Sequence, residues 1–114
     1  MPSYAWAVPI LAGKTQVFKS YVKEMTGPRK EAMKASRKRL GVATERVWLQ
    51  LTPMGDFAVV YWEAADIGKV FEGAMTSKDP FDQWFREKII MEVHGMKPGA
   101  PMPPLNVTIL DHKG

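Results

Sequence analysis

The sequence predicts an α+β fold in which helices cover one face of an antiparallel sheet. Three observations lead to this prediction: a hairpin-like segment in the middle of the chain, amphipathic helical stretches on both sides of it, and strand-like segments near both ends. The 114 residues suffice for one domain, residues 1–114, with a substantial buried core. The predicted order is strand, helix pair, two strands, helix pair, strand.

The first third of the chain is predicted to form one strand and two helices. Large and small residues alternate over Tyr4–Leu11, which is typical of a strand. A second helix is expected over Pro28–Leu40, because Pro28 suits a first helical turn and Gly41 suits a left-handed C-cap. Before it, apolar residues recur at helical spacing and predict a first amphipathic helix: Val17, Phe18, Tyr21, Val22 and Met25.

The central segment, Arg46–Glu63, is predicted to be a β-hairpin. Pro53-Met54-Gly55-Asp56 has the composition of a turn, and β-branched and aromatic residues flank it. A turn centred on Met54 and Gly55 brings opposite charges and aromatic rings together across the strands: Arg46 with Glu63, and Trp48 with Tyr61. One face would be wholly apolar (Val47, Leu49, Leu51, Ala58, Val60, Trp62) and the other mixed (Arg46, Trp48, Gln50, Val59, Tyr61, Glu63).

The last part of the chain is predicted to contain two helices and a final strand. Asp66 is expected to cap a short helix. Asp79 caps the next one, which begins at Pro80 and stops before Gly95. After a proline-rich loop, Leu105–Leu110 alternates apolar and polar residues and predicts a fourth strand.

A βαββαβ order of this kind forms a split βαβ, ferredoxin-like sheet with helices on one face. The other face would still carry apolar side chains, including Trp48, Val59 and Tyr61. A large exposed apolar patch marks an interface, so we expect a homodimer in which sheet packs on sheet.

The whole chain resembles the dimeric α+β-barrel superfamily in element order and strand patterning. It is most similar to small stand-alone bacterial members without an established activity, which share the form of Asp79–Arg86 followed by His94-Gly95. Other members are quinone-forming monooxygenases without cofactors, haem-degrading enzymes, muconolactone isomerase-like proteins and polyketide cyclases. Because catalytic residues differ among these groups, the resemblance implies a fold and a hydrophobic pocket but selects no reaction.

Composition and charge exclude several classes of site. The chain has no cysteine, which excludes disulfides, thiolate nucleophiles and Cys-ligated metal sites. The net charge of +4 comes from one segment, Arg29–Arg39, in which six basic residues stand against Glu31. That segment has no stacking aromatic residue, so we interpret it as a solvated outer helix and expect no nucleic-acid binding. No membrane segment is recognised, and a cytoplasmic location is expected.

His94 is the leading candidate for a functional group, because it can titrate near neutral pH at the end of a helix. The helix dipole would favour its charged form. It could act as a general acid or base, or as an axial haem ligand; the alternative is a structural histidine that bonds a loop. No protein metal site is expected, and no motif supports a cofactor, haem included.

Two further residues, Tyr61 and Arg46, are predicted to assist His94, and four residues are predicted to contact a ligand: Trp48, Gln50, Glu63 and Trp84. The alternatives are an exposed Arg46–Glu63 ion pair, dimer packing by the aromatic residues, and a core position for Trp84. The predicted function is binding of a small, largely apolar or aromatic molecule, with cofactor-independent oxygenation, isomerisation or cyclisation as the candidate chemistry. The alternative is a non-catalytic interaction or sensing module with a filled barrel.

Overall fold

A computed structural model describes residues 1–97 and 99–114 of the chain. Three antiparallel strands form one sheet in the order β1-β3-β2, so the α+β class is confirmed. The strands are β1 (Ser3–Pro9), β2 (Val42–Thr52) and β3 (Gly55–Ala64). The helices are α1 (Thr15–Thr26), α2 (Lys30–Leu40), α3 (Ile67–Thr76) and α4 (Pro80–Phe85), and α4 continues into a π-helical segment, Arg86–Val93.

The predicted N-caps of the two later helices are present. The Asp66 carboxylate accepts a hydrogen bond from the Lys69 amide, and the Asp79 carboxylate accepts from the Phe81 and Asp82 amides. Gly95 follows the π-helical segment with a φ of 68°, a left-handed conformation that glycine adopts without strain. Sequence signals at helix ends therefore located these elements well.

The predicted fourth strand, Leu105–Leu110, is wrong for the described residues: this segment is irregular, the element order is not βαββαβ, and no barrel is formed. Instead of the backbone hydrogen bonds of a fourth strand, the side chain of Asn106 bonds the backbone of β1. The Asn106 amide donates to the Ala5 carbonyl and accepts from the Ala5 N–H, both at 2.6 Å. Val107 and Ile109 are exposed. Within one chain, the apolar side chains of this alternating segment therefore gain no burial that would stabilise a strand.

The hairpin is present, but its predicted register is wrong by two residues. Trp48 lies opposite Val59 and Arg46 lies opposite Tyr61, with Pro53 and Met54 at the centre of the turn. The Thr52 hydroxyl fixes the turn at this position, because it donates to the Gly55 carbonyl at 2.6 Å and accepts from the Met54 amide at 3.1 Å. A shift of two residues keeps every side chain on its predicted face.

The helices pack on one face of the sheet, called here the covered face. From this face Tyr4, Val8, Ala58 and Trp62 enter the core. Helix residues including Phe18, Met25, Phe81, Ile89 and Val93 complete it. The opposite face, called the open face, carries Ala5, Ala7, Arg46, Trp48, Gln50, Val59, Tyr61 and Glu63, and no element of the described chain covers Trp48.

Helix α2 is less solvated than its charge suggests. Arg29, the N-cap residue of this helix, lies over the Trp84 ring at 4.2 Å, and Arg39 contacts Asp79 and Asp82. Arg37 forms an ion pair with Glu45 at 2.8 Å, and both side chains are largely buried. The exposed basic residues of α2 are Arg39 and three lysines, Lys30, Lys34 and Lys38. The interpretation as a solvated helix therefore holds for the lysines but not for Arg37.

Candidate functional site in the cavity between sheet and helices

A cavity of about 310 Å³ lies between the covered face and the helices. Its walls are mainly apolar and come from both layers, as Trp6, Val60, Phe18, Met33, Phe71 and Ile90 illustrate. Two of the lining residues are small, Ala58 on β3 and Ala74 on α3, and their short side chains leave space in the cavity. Ligand pockets typically enclose roughly 300–1,000 Å³, so this cavity suits a small molecule.

His94 lies in the wall of this cavity, directly after the π-helical segment. π-Helical segments are rare in proteins, and many of those that do occur lie at functional sites. Nδ1 of His94 lies 2.9 Å from the Pro9 carbonyl oxygen, and the ring meets Phe18 edge-on at 5.7 Å between centroids. Since a carbonyl only accepts, the proton of the neutral ring is on Nδ1 and Nε2 is a hydrogen-bond acceptor.

Burial lowers the pKa of His94, and this effect exceeds the opposite one of the hydrogen bond to Pro9. No charged group of the described chain contributes to the shift. The expectation that the helix dipole would favour the charged form is therefore not met, because desolvation of the ring dominates. The neutral imidazole is the form that this cavity favours near neutral pH.

A second polar position is formed by Arg37, Glu45 and Trp62, which all lie in the cavity wall. Arg37 Nε donates to Glu45 Oε1 at 2.8 Å, and Arg37 Nη2 donates to Oε2 at 3.4 Å. Trp62 Nε1 donates to the same Oε2 at 3.1 Å. The Arg37 guanidinium also lies 4.5 Å from the Phe85 ring centroid. Each charge is thus held by its partner and by neighbouring groups.

Five of the seven predicted site residues lie on the open face and do not approach this cavity: Tyr61, Arg46, Trp48, Gln50 and Glu63. The Tyr61 hydroxyl donates to Glu63 Oε2 at 2.9 Å. This hydrogen bond raises the pKa of Tyr61, while a hydrogen bond from Thr44, followed by that from Tyr61, lowers the pKa of Glu63. Tyr61 and Glu63 therefore form a local pair on the sheet, separate from His94.

Trp84, the remaining predicted ligand contact, lies on α4 outside the cavity wall. Its ring packs against Tyr21 at 5.8 Å and against Phe81 at 5.6 Å, with Arg29 covering it. These contacts favour the alternative of a packing role at the junction of α1, α2 and α4.

Glu45 and Arg37 were not predicted as site residues, although one signal was present. Extending the alternation of the apolar hairpin face by one step places Glu45 beside Val47 and Leu49. A carboxylate on an apolar face requires a buried partner. Arg46 points to the opposite face, and the next nearest basic residues along the chain lie on α2. Nothing in the sequence singled out Arg37 among the six basic residues of Arg29–Arg39.

Searches with this chain against protein-family models, curated proteins and solved structures found no match. None of the helices over residues 1–97 and 99–114 has the length and apolarity to cross a bilayer. Within the same residues, no group of three or more His, Asp and Glu side chains is placed to hold a metal ion. Among the described residues, His94 is the histidine that lines the cavity.

Proposed function

We propose that this protein binds a small, largely apolar or aromatic organic molecule in the cavity between its sheet and helices. The observation that carries the proposal is the cavity of about 310 Å³, whose apolar wall contains two defined polar positions, His94 and the Arg37–Glu45 pair. Apolar walls with a few fixed polar groups are the usual composition of a small-molecule site.

The candidate chemistry, if the protein is an enzyme, centres on His94. A neutral Nε2 can accept a proton from a bound molecule, which is the first step of many isomerisations, cyclisations and oxygenations. Tyr61 and Arg46 lie on the open face, so one chain does not bring them to the same molecule. The proposal therefore assigns proton transfer to His94 and leaves binding to the apolar wall.

We also propose that two copies of the chain pack their open faces together, in the manner of a dimeric α+β barrel. Support comes from Trp48, which is 52 % exposed in the middle of β2, an edge strand of the sheet. Small residues on β1 and Val59 on β3 extend the apolar surface beside it. Burying such a surface is favourable by about 25 cal/mol per Å² of apolar area.

The exposed apolar residues of this face and of the C-terminal segment also favour the second candidate, a non-catalytic interaction module. The two functions make different demands on the cavity. A ligand-binding protein loses binding when the cavity is filled, whereas an interaction module keeps its partner.

The test uses a matched pair of variants and N-phenyl-1-naphthylamine, a neutral dye that fluoresces in apolar sites. Ala74 on α3 lines the cavity, while Ala35 on α2 is exposed and lies outside it. Ala74→Leu should abolish saturable dye binding and Ala35→Leu should leave it unchanged, since both substitutions suit a helix. Native mass spectrometry of protein from its own host should reveal a co-purifying molecule. Absence of saturable binding to the wild type, or equal binding by both variants, would refute the proposal.

A further inference from the structure

We infer that the ligand is electrically neutral and carries a hydroxyl group on an apolar or aromatic body, and that this hydroxyl donates a hydrogen bond to Nε2 of His94. The inference rests on the proposed binding function and specifies its ligand class. Phenols and hydroxylated polycyclic molecules belong to this class, whereas carboxylates and protonated amines do not.

The hydroxyl follows from the hydrogen-bonding state of His94. Nδ1 is held by the Pro9 carbonyl at 2.9 Å, which fixes the ring and leaves Nε2 as an acceptor. No donor among residues 1–97 and 99–114 bonds Nε2. Nε2 is therefore accessible to a ligand rather than sealed in the wall. A ligand that removes solvent from Nε2 without donating to it would leave a costly unpaired acceptor, whereas a ligand O–H supplies the missing hydrogen bond.

The neutral charge follows from the second polar position. Arg37 and Glu45 are joined through both carboxylate oxygens, at 2.8 and 3.4 Å, and Trp62 Nε1 bonds Glu45 at 3.1 Å. Arg37 Nη1 additionally lies 3.1 Å from the Ser36 hydroxyl. A carboxylate ligand would have to displace Glu45 from Arg37, and a protonated amine would have to displace Arg37 from Glu45. Either exchange leaves a buried charge without its partner.

The environment of His94 agrees with this assignment. Phe18 packs against the ring from α1 and Pro9 contacts it from β1, and neither is charged. Burial lowers the pKa of His94, so the ring supplies no positive charge for an anion at neutral pH. The charged groups in the cavity wall are Arg37 and Glu45, and they neutralise each other.

Three ligands of nearly equal shape test the inference: 2-naphthol, 2-methoxynaphthalene and 2-naphthoate, each competing with N-phenyl-1-naphthylamine for the wild-type protein. We expect 2-naphthol to bind about tenfold more tightly than the ether, because 2-naphthol donates a hydrogen bond and the ether has no donor. The naphthoate should bind most weakly. Affinity for 2-naphthol, but not for the ether, should fall as the pH is lowered through the pKa of His94.

Variants separate the hydrogen bond from packing. His94→Phe should bind the dye and the ether but lose the preference for 2-naphthol, while His112→Phe in the exposed C-terminal segment should keep it. Equal affinities of wild type for 2-naphthol and the ether, or tightest binding of the naphthoate, would overturn the inference while leaving ligand binding intact. Failure of the dye and of all three ligands to bind would instead refute the proposed function itself.

Discussion

Both faces of the sheet carry apolar side chains, but the two faces have different roles in the structure. On the covered face, Ala58 is fully buried and Trp62 is 9 % exposed, and together with the helices they enclose the cavity. On the open face, Trp48 is 52 % exposed and the polar side chains bond one another. Alternation along a strand assigns side chains to faces, but only the helices determine which face becomes a site.

The carboxylates on the two sides of the sheet also differ in their burial and in the number of hydrogen bonds that they accept. On the helix side, Asp82 is almost completely buried and accepts hydrogen bonds from Ser36 at 2.5 Å, Ser77 at 2.6 Å and Arg39 at 3.0 Å. On the open face, Glu63 pairs with Tyr61 near solvent. A buried carboxylate with several donors is expected to matter far more for stability than an exposed one.

The largest expected effect is therefore that of Asp82→Ala. Removing the carboxylate leaves Ser36, which is fully buried, and Arg39 without their shared partner. We expect a loss of about 3 kcal/mol in the free energy of unfolding, measured by urea denaturation at neutral pH. Glu63→Ala is the matched control and should cost much less. Equal losses for the two variants would contradict the contrast between the faces.

The dependence of stability on pH provides a second test of the role of Asp82. Burial by itself would raise the pKa of Asp82, but the hydrogen bonds from Ser36, Ser77 and Arg39 outweigh it and lower the pKa from 3.8. A depressed folded-state pKa stabilises the protein above the unfolded-state value, and this stability is lost as the pH falls through the folded-state value. Below pH 3.8 the stability of Asp82→Ala should thus fall less steeply than that of the wild type.

Sequence patterns predicted the elements that depend on local chemistry. Asp66 and Asp79 cap the helices as expected, because a capping bond needs only a few neighbouring residues. The hairpin register was predicted from charge pairing between Arg46 and Glu63 across the strands. The observed register instead accompanies hydrogen bonds of the Thr52 hydroxyl within the turn. Leu105–Leu110 has strand-like alternation, but its apolar side chains stay exposed within one chain, and burial of one face is what stabilises a strand.

The candidate site was predicted less completely than the fold. His94 was identified from its position at a helix end, and the structure places it in the cavity wall. The other groups in that wall depend on long-range contacts: Arg37 on α2 meets Glu45 on β2 and Trp62 on β3. Sequence spacing does not specify which of six basic residues points toward the sheet, and it drew attention instead to the polar open face.

A second, smaller effect is expected at the open face. If two copies pack through this face, Trp48→Glu places a carboxylate in a desolvated interface and should split the dimer into folded monomers. Met54→Glu is the control, because Met54 is 93 % exposed in the hairpin turn, away from the centre of the face. Analytical ultracentrifugation should show dimers for the wild type and the control. A stable wild-type monomer at micromolar concentration would overturn the proposed dimer.

The smallest effect is expected from the lysines of α2. Lys30, Lys34 and Lys38 are exposed, so replacing all three by Glu should leave the urea midpoint nearly unchanged. Arg37→Glu should lower it strongly, since it would place a second carboxylate beside Glu45. The wild type should not bind duplex or single-stranded nucleic acid in an anisotropy titration near physiological salt. Micromolar binding that the triple variant abolishes would show that α2 is a nucleic-acid surface.

The most direct test of the central claim asks which face receives the ligand. Methyl groups report on both: Met25, Met33 and Ile90 line the cavity, whereas Val59 lies on the open face and Met54 in the turn. In methyl NMR spectra, titration with 2-naphthol should shift the first three signals in a saturable manner and leave the other two in place. Shifts confined to Val59 and its neighbours on the open face would contradict a ligand site between the sheet and the helices.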